Sequence, residues 1–421
     1  MKVWLVTIGE PLPLPGQRPR LLRTGLLAGA LAARGHHVTW WSSGFDHTTK
    51  REIPPNQAPR RLDDGTELVL LRGIPYAKNL SWRRLINHWQ LGRRFAAQAP
   101  AHAAPDLIVA SYPTIELSDR AVAYGRRRGV PVVVDVRDLW PDILHQAAPP
   151  ALGPLTRFAL LPLDEAGRRA LRGASAILAI SESYLTWALE RADRGPTQAD
   201  AVFPLGYPKI TLDPARESAA RSALLAKGVV PGRHIFCFVG SFGKTYDLHP
   251  IMVAAEALRN DGKREVQFVV AGTGEYEARW RREAATLDNV ILTGWLDADQ
   301  LALLLRYSTA GIAAYARGAP QSLPNKYAEY ASAGLPILSS LEGEGREFLS
   351  RNGCGLTYQV EDPSSLLSAI RTLLYNEDAR SRMAEGSARV FDREFDAEGV
   401  TARMIGHLEK LVAPGASSRL D

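Results

Sequence analysis

The sequence predicts an α/β protein made of two Rossmann-like, doubly wound domains facing a central cleft. Three observations lead there. Short β-rich runs recur along the 421 residues, separated by helix-compatible segments. These runs are continuously apolar rather than alternating, which marks strands of a parallel sheet covered on both faces. The series is interrupted once, at YPKITLDPARES (207–218), where two prolines fall and apolar periodicity lapses. A chain of this length is expected to divide into two domains. Two doubly wound domains joined by a linker bind their ligand at the carboxyl ends of the strands.

In chain order, the first domain's strands are read at 2–8 (KVWLVTI), 37–43 (HVTWWSS), 67–72, 106–111, 130–136 (VPVVVDV), 176–181 and 201–205. Its first crossover helix places Leu22, Leu26, Ala30 and Ala33 on one face, and Gly35 stands where a left-handed cap belongs. In KNLSWRRLINHWQLGRRF (78–95), Trp82, Leu85, Ile86 and Trp89 form an i, i+3, i+4, i+7 stripe, flanked by Arg83, Arg84, His88, Arg93 and Arg94. Such a helix either meets a membrane interface with anionic headgroups or turns its stripe to the core. The second domain's strands are read at 234–240 (HIFCFVG), 266–272, 289–294, 310–316 and 335–340. The limits are therefore 1–206 and 207–395, with a helix at 396–421 expected to return to the first domain.

The formal net charge is +6, and the positive excess lies in the first half while the second is slightly negative. The first half is thus expected to meet something anionic. No helix-turn-helix, zinc or RNA-binding signature accompanies the charge, which argues against nucleic acid. Two cysteines cannot form a disulfide framework, and Cys237 lies in an apolar run, so a reducing compartment is expected. MKVWLVTIGEPLPLPG has too short an apolar run for a signal peptide, and no run nears the ~20 residues of a membrane span. The expected location is cytoplasmic, at most peripheral at the inner face of the membrane.

Two stretches carry chemistry. In VGSFGKTYDL (239–248) a buried strand meets a glycine-rich turn and then a helix. Glycines let backbone N–H groups approach a phosphate, and Lys244 adds a mobile positive charge, although the spacing is not that of a Walker loop. In LPNKYAEYASAGLPILSS (323–340), Lys326 opens a helix and Glu329 follows one turn later. A lysine at the positive end of a helix makes sense if an anionic group sits in front of it. Lys244 and Lys326 would converge on one diphosphate, with Glu329 accepting from ribose hydroxyls. The alternative is a solvated Lys326 in an ordinary i,i+3 pair with Glu329.

Together with VVAGTGEYEARW, DNVILTGWLDADQL and ALAARGHHV, these stretches resemble family 4 of the retaining, nucleotide-sugar-dependent glycosyltransferases of GT-B architecture, over nearly the whole chain. VPVVVDVRDLWPD and the Pro-Asn-Lys form of the helix are similar to N-acetylfucosamine-type transferases of O-antigen and colanic-acid clusters.

The resemblance implies a donor site made of Gly240, Ser241 and Gly243, of Gly272, Trp295 and Leu296, and of Gln321, Ser322, Leu323, Pro324, Asn325 and Glu329. Glu329 matches the second glutamate of the family's E-x7-E motif, at the ribose. Gln321 replaces the first; its amide can hydrogen-bond a sugar hydroxyl but cannot stabilise developing positive charge. Ser241 replaces the usual diphosphate-binding arginine, and Lys244 stands at a shifted position. The base is expected near Gly272, Trp295 and Leu296, where Trp295 either stacks on it or packs under a loop.

The implied catalytic residues are Asp138, Arg137, Lys244 and Lys326. Arg137 occupies a position where many members have histidine; it either binds an acceptor phosphate or pairs with Asp135 or Asp138. Asp138 orients the acceptor hydroxyl or accepts its proton. Gly16 and Arg20 belong to the acceptor-side loop of the first domain. No D-x-D pattern lies at a strand end, the nearest being DAD at 297–299, so neither metal nor cofactor is expected.

The implied activity is transfer of a sugar from a nucleotide-diphosphate sugar to a lipid-linked, polyprenyl-diphosphate or other anionic glycan acceptor of surface polysaccharide, with retention. A UDP-sugar is favoured, with an N-acetylated amino sugar among the candidates. The other readings are a nucleotide-sugar 2-epimerase and a catalytically degenerate nucleotide-sugar-binding subunit, the latter motivated by Gln321 and Arg137.

Overall fold

The computed structural model describes residues 1–14, 19–54, 61–78, 81–147 and 153–413. Gly16, expected in the acceptor-side loop, lies outside them. The chain forms two compact units: Met1–Pro204 together with the chain from Val400, and Leu205–Gly399. Among the described residues no helix is long and apolar enough to cross a membrane.

The first unit contains strands β1 (Lys2–Val6), β2 (His37–Ser43), β3 (Phe45–Asp46), β4 (Arg51–Glu52) and β5 (Glu67–Leu71). It continues with β6 (Leu107–Tyr112), β7 (Val132–Val136), β8 (Ala176–Ala179) and β9 (Ala201–Val202). Its helices are α1 (Arg23–Ala33), α2 (Trp82–Gln98), α3 (Ile115–Arg128), α4 (Asp142–Ala147), α5 (Gly153–Gly173) and α6 (Glu182–Ala192). Seven strands form one parallel sheet in the order β5-β2-β1-β6-β7-β8-β9, while β3 and β4 pair as an antiparallel hairpin beyond β2.

In the second unit, α7 (Pro214–Ala226) precedes β10 (His234–Val239), α8 (His249–Asn260), β11 (Val266–Ala271), α9 (Glu277–Ala284) and β12 (Val290–Gly294). Next come α10 (Ala298–Tyr307), β13 (Ser308–Ala313), α11 (Asn325–Ala331), β14 (Ile337–Ser339), α12 (Glu344–Asn352) and β15 (Gly355–Thr357). After α13 (Pro363–Tyr375) and α14 (Glu377–Val390), the last helix, α15 (Ala397–Val412), carries the chain back into the first unit. The second sheet is parallel, in the order β12-β11-β10-β13-β14-β15. Numbered within each unit's main sheet, both contain the order 3-2-1-4-5-6. The winding therefore reverses between β1 and β6 in one sheet and between β10 and β13 in the other, the points where such sheets bind ligands.

Both sheets are covered on two faces, as continuous apolar strands require. In β2, Trp40 and Trp41 are both fully buried on opposite faces. Trp40 joins Val3, Leu5 and Leu27, a core that Val400, Met404, Ile405 and Leu408 of α15 complete. Trp41 packs against Trp4 (5.2 Å between centroids) and Phe95 (5.0 Å). His407 of α15 lies 2.8 Å from the carbonyl oxygen of Ala199, and His36 lies 2.9 Å from Glu409.

Three sequence readings are corrected. The buried face of α1 is Thr24, Leu27, Ala28 and Leu31, not Leu22, Leu26, Ala30 and Ala33; Leu22 and Ala33 are exposed. The rotation follows from Arg23, which is buried against Asp135. The hairpin β3–β4 and the edge strand β15 went unread, being two or three residues long with no apolar run. Strand 201–205 shortens to β9 because Pro204 cannot donate to a ladder. Gly35 does take a left-handed conformation (φ +79°), and His36 N donates to Leu31 O across the turn.

Candidate active site

In the second unit, three turns at the carboxyl ends of β10, β11 and β12 are laced together by backbone hydrogen bonds. Gly240 N donates to Ala271 O, Phe242 N to Thr273 O, and Gly272 N to Gly294 O, all at 2.9 Å. Gly272 is required by close approach: a Cβ there would lie 1.8 Å from the carbonyl oxygen of Gly240. The next residue after Gly294, Trp295, is 77 % exposed. It does not pack under a loop, whereas Leu296 is buried in the core.

Helix α11 is pinned across the switch point by two buried tyrosines. Tyr327 Oη donates to Ser339 Oγ (2.8 Å) and Tyr330 Oη to Ile312 O (2.9 Å), while Val239 N donates to Tyr330 Oη (3.2 Å). This attachment carries Lys326 under the end of β10. Lys326 is only 5 % exposed, and its ammonium lies 4.5 Å from the ring centre of Phe238 and 4.6 Å from that of Tyr246. A Cβ on Gly240 would stand 2.2 Å from Lys326 Nζ. The solvated-lysine alternative is thereby excluded. Burial pulls the ammonium's pKa down to about 8, against the opposing pull of Glu329. Glu329, on the same helix, is also buried.

The remaining expected donor residues divide. Gln321 lies in the loop before α11, and its buried Oε1 has no hydrogen-bond partner among the described residues. Leu323 and Pro324 are buried, Leu323 in the core cluster, so what these two offer outward is backbone; Ser322 is half-buried and Asn325 exposed. Ser241 and Lys244 are exposed and Gly243 is half-buried. The helix expected directly after Lys244 starts later: Lys244 sits in a turn closed by Tyr246 N donating to Gly243 O, and α8 begins at His249.

In the first unit, Arg137 follows β7 and is consumed by a buried ion network. Its Nε donates to Asp135 (2.7 Å) and its Nη1 to Glu10. Arg23 forks onto both oxygens of Asp135 (2.9 and 3.0 Å). Of the two roles open to Arg137, pairing with Asp135 is the one observed. Burial alone would raise the carboxyl of Asp135, but the two guanidiniums overcome it and hold the group below its ordinary value.

Asp138 accepts from the backbone N–H of Leu139 (2.9 Å), and burial pushes its pKa up, opposed by that bond and by Arg84. Arg84 lies 4.8 Å over Trp140 and donates to His88 Nε2 (3.3 Å). Close by, His47 Nδ1 and Tyr76 Oη are 2.7 Å apart, with the Lys50 ammonium 5.0 Å from the same ring. Burial, then Arg84 and Lys50, hold His47 down at about 4. Arg20 is exposed.

The family described as glycosyl transferases group 1 matches residues 233–376, and the glycosyl transferase 4-like domain matches residues 22–206. Each match falls on one of the two sheets. The chain is a glycosyltransferase of the GT-B type. Solved structures share this fold at low identity. Sucrose-phosphate synthase from Thermosynechococcus elongatus has a TM-score of 0.72 at 16% identity, covering 97% of this chain and 98% of that one. HepE from Anabaena, in complex with UDP, has 0.66 at 15%, covering 97% and 100%. WaaG, a glycosyltransferase involved in lipopolysaccharide biosynthesis, has 0.65 at 14%, covering 99% and 100%. No curated protein matches the chain in sequence.

Sequence reading of this glycosyltransferase singles out Lys326 and Glu329 but not what surrounds the ammonium. Phe238 and Tyr246 lie some eighty residues before α11, and each reads as an ordinary strand or turn residue. The group of His47, Lys50, Tyr76 and Arg84 beside Asp138 also went unread. No spacing signals it, since the β3–β4 hairpin, the loop after β5 and α2 supply its members separately.

Proposed function

We propose that this glycosyltransferase takes its sugar from a nucleotide-diphosphate sugar, a UDP-sugar first among the candidates, and passes it with retention to a lipid-linked or glycan acceptor of surface polysaccharide. The observation that carries the donor half is the buried Lys326 ammonium beneath Gly240, with Glu329 on the same helix. In this reading Lys326 meets the diphosphate, Glu329 the ribose hydroxyls and Trp295 the base, while a sugar hydroxyl donates to the orphaned Oε1 of Gln321. HepE, with the same fold, has been seen with UDP and with UDP-glucose.

The bond between the anomeric carbon and the diphosphate oxygen breaks, and the acceptor oxygen takes that carbon. Negative charge grows on the departing diphosphate, where a cation in a water-poor setting stabilises it most. Lys326 fills that role, so the proposal calls for no metal; exposed Lys244 adds charge at the rim. Asp138, whose pKa burial raises from its ordinary value, orients the acceptor hydroxyl or takes its proton. Arg137 serves by fixing the end of β7 through Asp135 and Glu10. The protein works at the inner face of the cytoplasmic membrane.

Incubation with a panel of UDP- and GDP-sugars and polyprenyl-diphosphate-sugar acceptors tests this. The expected result is acceptor-dependent nucleotide release that Lys326→Ala abolishes, with product anomers matching the donor. Interconversion of free nucleotide sugars would establish the epimerase reading instead, and binding without turnover the degenerate subunit.

A further inference from the structure

The stripe of α2 does not face the core. The helix buries Asn87, His88, Leu91, Gly92 and Phe95, leaving Trp82, Ile86 and Trp89 exposed. Helix α5 presents a second such surface. Its first eleven residues, GPLTRFALLPL, carry only Thr156 and Arg157 as polar side chains, and Leu155, Phe158 and Leu161 are exposed, Phe158 at 73 %. A helix apolar on all sides is ordinarily buried. Of the eleven exposed large apolar side chains among the described residues, six lie on these two helices, so the patch is not the normal scatter of surface apolar groups. The two helices flank one groove of about 350 Å³, lined by Ile86, Trp89, Leu160 and Leu163, with Glu116 of α3 between them.

Basic groups border the patch. Arg83, Arg93, Arg94 and Arg157 are exposed, and α2 contains no carboxylate. Arg83 lies 5.8 Å from the Trp82 ring and Arg93 4.9 Å from that of Trp89. Tryptophans with arginines stacked beside them suit the boundary where acyl chains give way to headgroups. A second copy meeting this face about a twofold axis would bring two surfaces of the same basic character together, which is unfavourable. An anionic lipid surface complements both features at once.

We infer that the paired outer faces of α2 and α5 seat the first unit on an anionic bilayer, with Trp82, Trp89, Phe158 and Leu161 entering the interface and Arg83, Arg93, Arg94 and Arg157 meeting phosphate headgroups. The inference rests on the lipid-acceptor reading for its purpose; the surface itself is argued from its own residues.

Co-sedimentation of the full chain with vesicles of phosphatidylcholine plus phosphatidylglycerol, against phosphatidylcholine alone, tests it. The wild type is expected to partition onto the anionic vesicles and to come off with added salt. Arg93→Glu/Arg94→Glu weakens this by more than about tenfold, from roughly 1 kcal/mol per basic residue, and Trp89→Glu/Phe158→Glu abolishes it. These side chains are exposed, so melting temperature stays unchanged in both variants. Binding to neither vesicle, or equal binding by the variants, overturns the inference. So does a concentration-dependent dimer lost in Trp89→Glu/Phe158→Glu, which would give the face to a second copy. The UDP-induced rise in melting temperature, read on the same samples, belongs to the donor site. Vesicle binding without that rise removes the donor reading and keeps this surface; the reverse removes only the surface.

Discussion

Lys326 occupies the space that a side chain at Gly240 would fill, its Nζ 2.2 Å from where that Cβ would stand. Gly240 also has φ +157°, which side chains rarely adopt. Gly240→Ala is therefore expected to displace the ammonium and lower UDP affinity at least about tenfold. Because the displaced atom ends a flexible chain, stability falls only by the backbone term, about 1–3 kcal/mol. Calorimetric titration with UDP beside a urea melt separates the two effects.

The buried ammonium also sets a pH dependence. Its pKa falls from 10.5 in the unfolded chain to about 8 in the fold. The unfolded state thus binds more protons between these values, and stability rises with pH across that window. Binding runs the other way. Above pH 8 the free protein loses the charge that a diphosphate needs, so UDP affinity should decline by up to about tenfold per pH unit. A titration series with UDP on the wild type between pH 7 and 9.5 should trace this decline.

Asp135 holds Arg23 and Arg137 in a buried network. Asp135→Asn leaves two guanidiniums under-compensated, and a loss of about 3–5 kcal/mol is expected. Since the carboxyl is depressed in the fold, its stabilisation is present above the ordinary carboxylate range and lost as pH falls through the folded value. Chemical denaturation at neutral and acid pH should show wild type approaching the variant on acidification.

Trp295 is 77 % exposed, so Trp295→Ala should leave the melting temperature unchanged. If the indole stacks on the base, nucleotide affinity falls by about 1–3 kcal/mol, while Trp295→Phe retains part of it. Equal affinity in all three proteins would remove the base from this position.

Much of the fold was legible because buried parallel strands write themselves as continuous apolar runs, from KVWLVTI to HIFCFVG. Glycine punctuation at Gly35 was equally readable, since its positive φ is a local property. What escaped depends on distant partners. The face of α1 slipped because Arg23 is buried through Asp135, 112 positions away, and periodicity counts an arginine as exposed. The outward turn of Trp82 and Trp89 was undecidable from the stripe alone: His88 and Asn87, polar by type, took the inner face. At the site, Lys326 and Glu329 were visible as an odd pairing on one helix, but the aromatic enclosure by Phe238 and Tyr246 exists only after β10 and α11 are brought together.

The most direct measurement is a thermal-shift panel of UDP, GDP, ADP and CMP on wild type, Lys326→Ala and Glu329→Ala. A ligand that binds only the native state must raise the melting temperature. The donor-site account predicts a rise with one nucleoside diphosphate, UDP first among them, abolished by Lys326→Ala and reduced by Glu329→Ala. A rise of equal size in all three proteins, or none with any nucleotide, would contradict it.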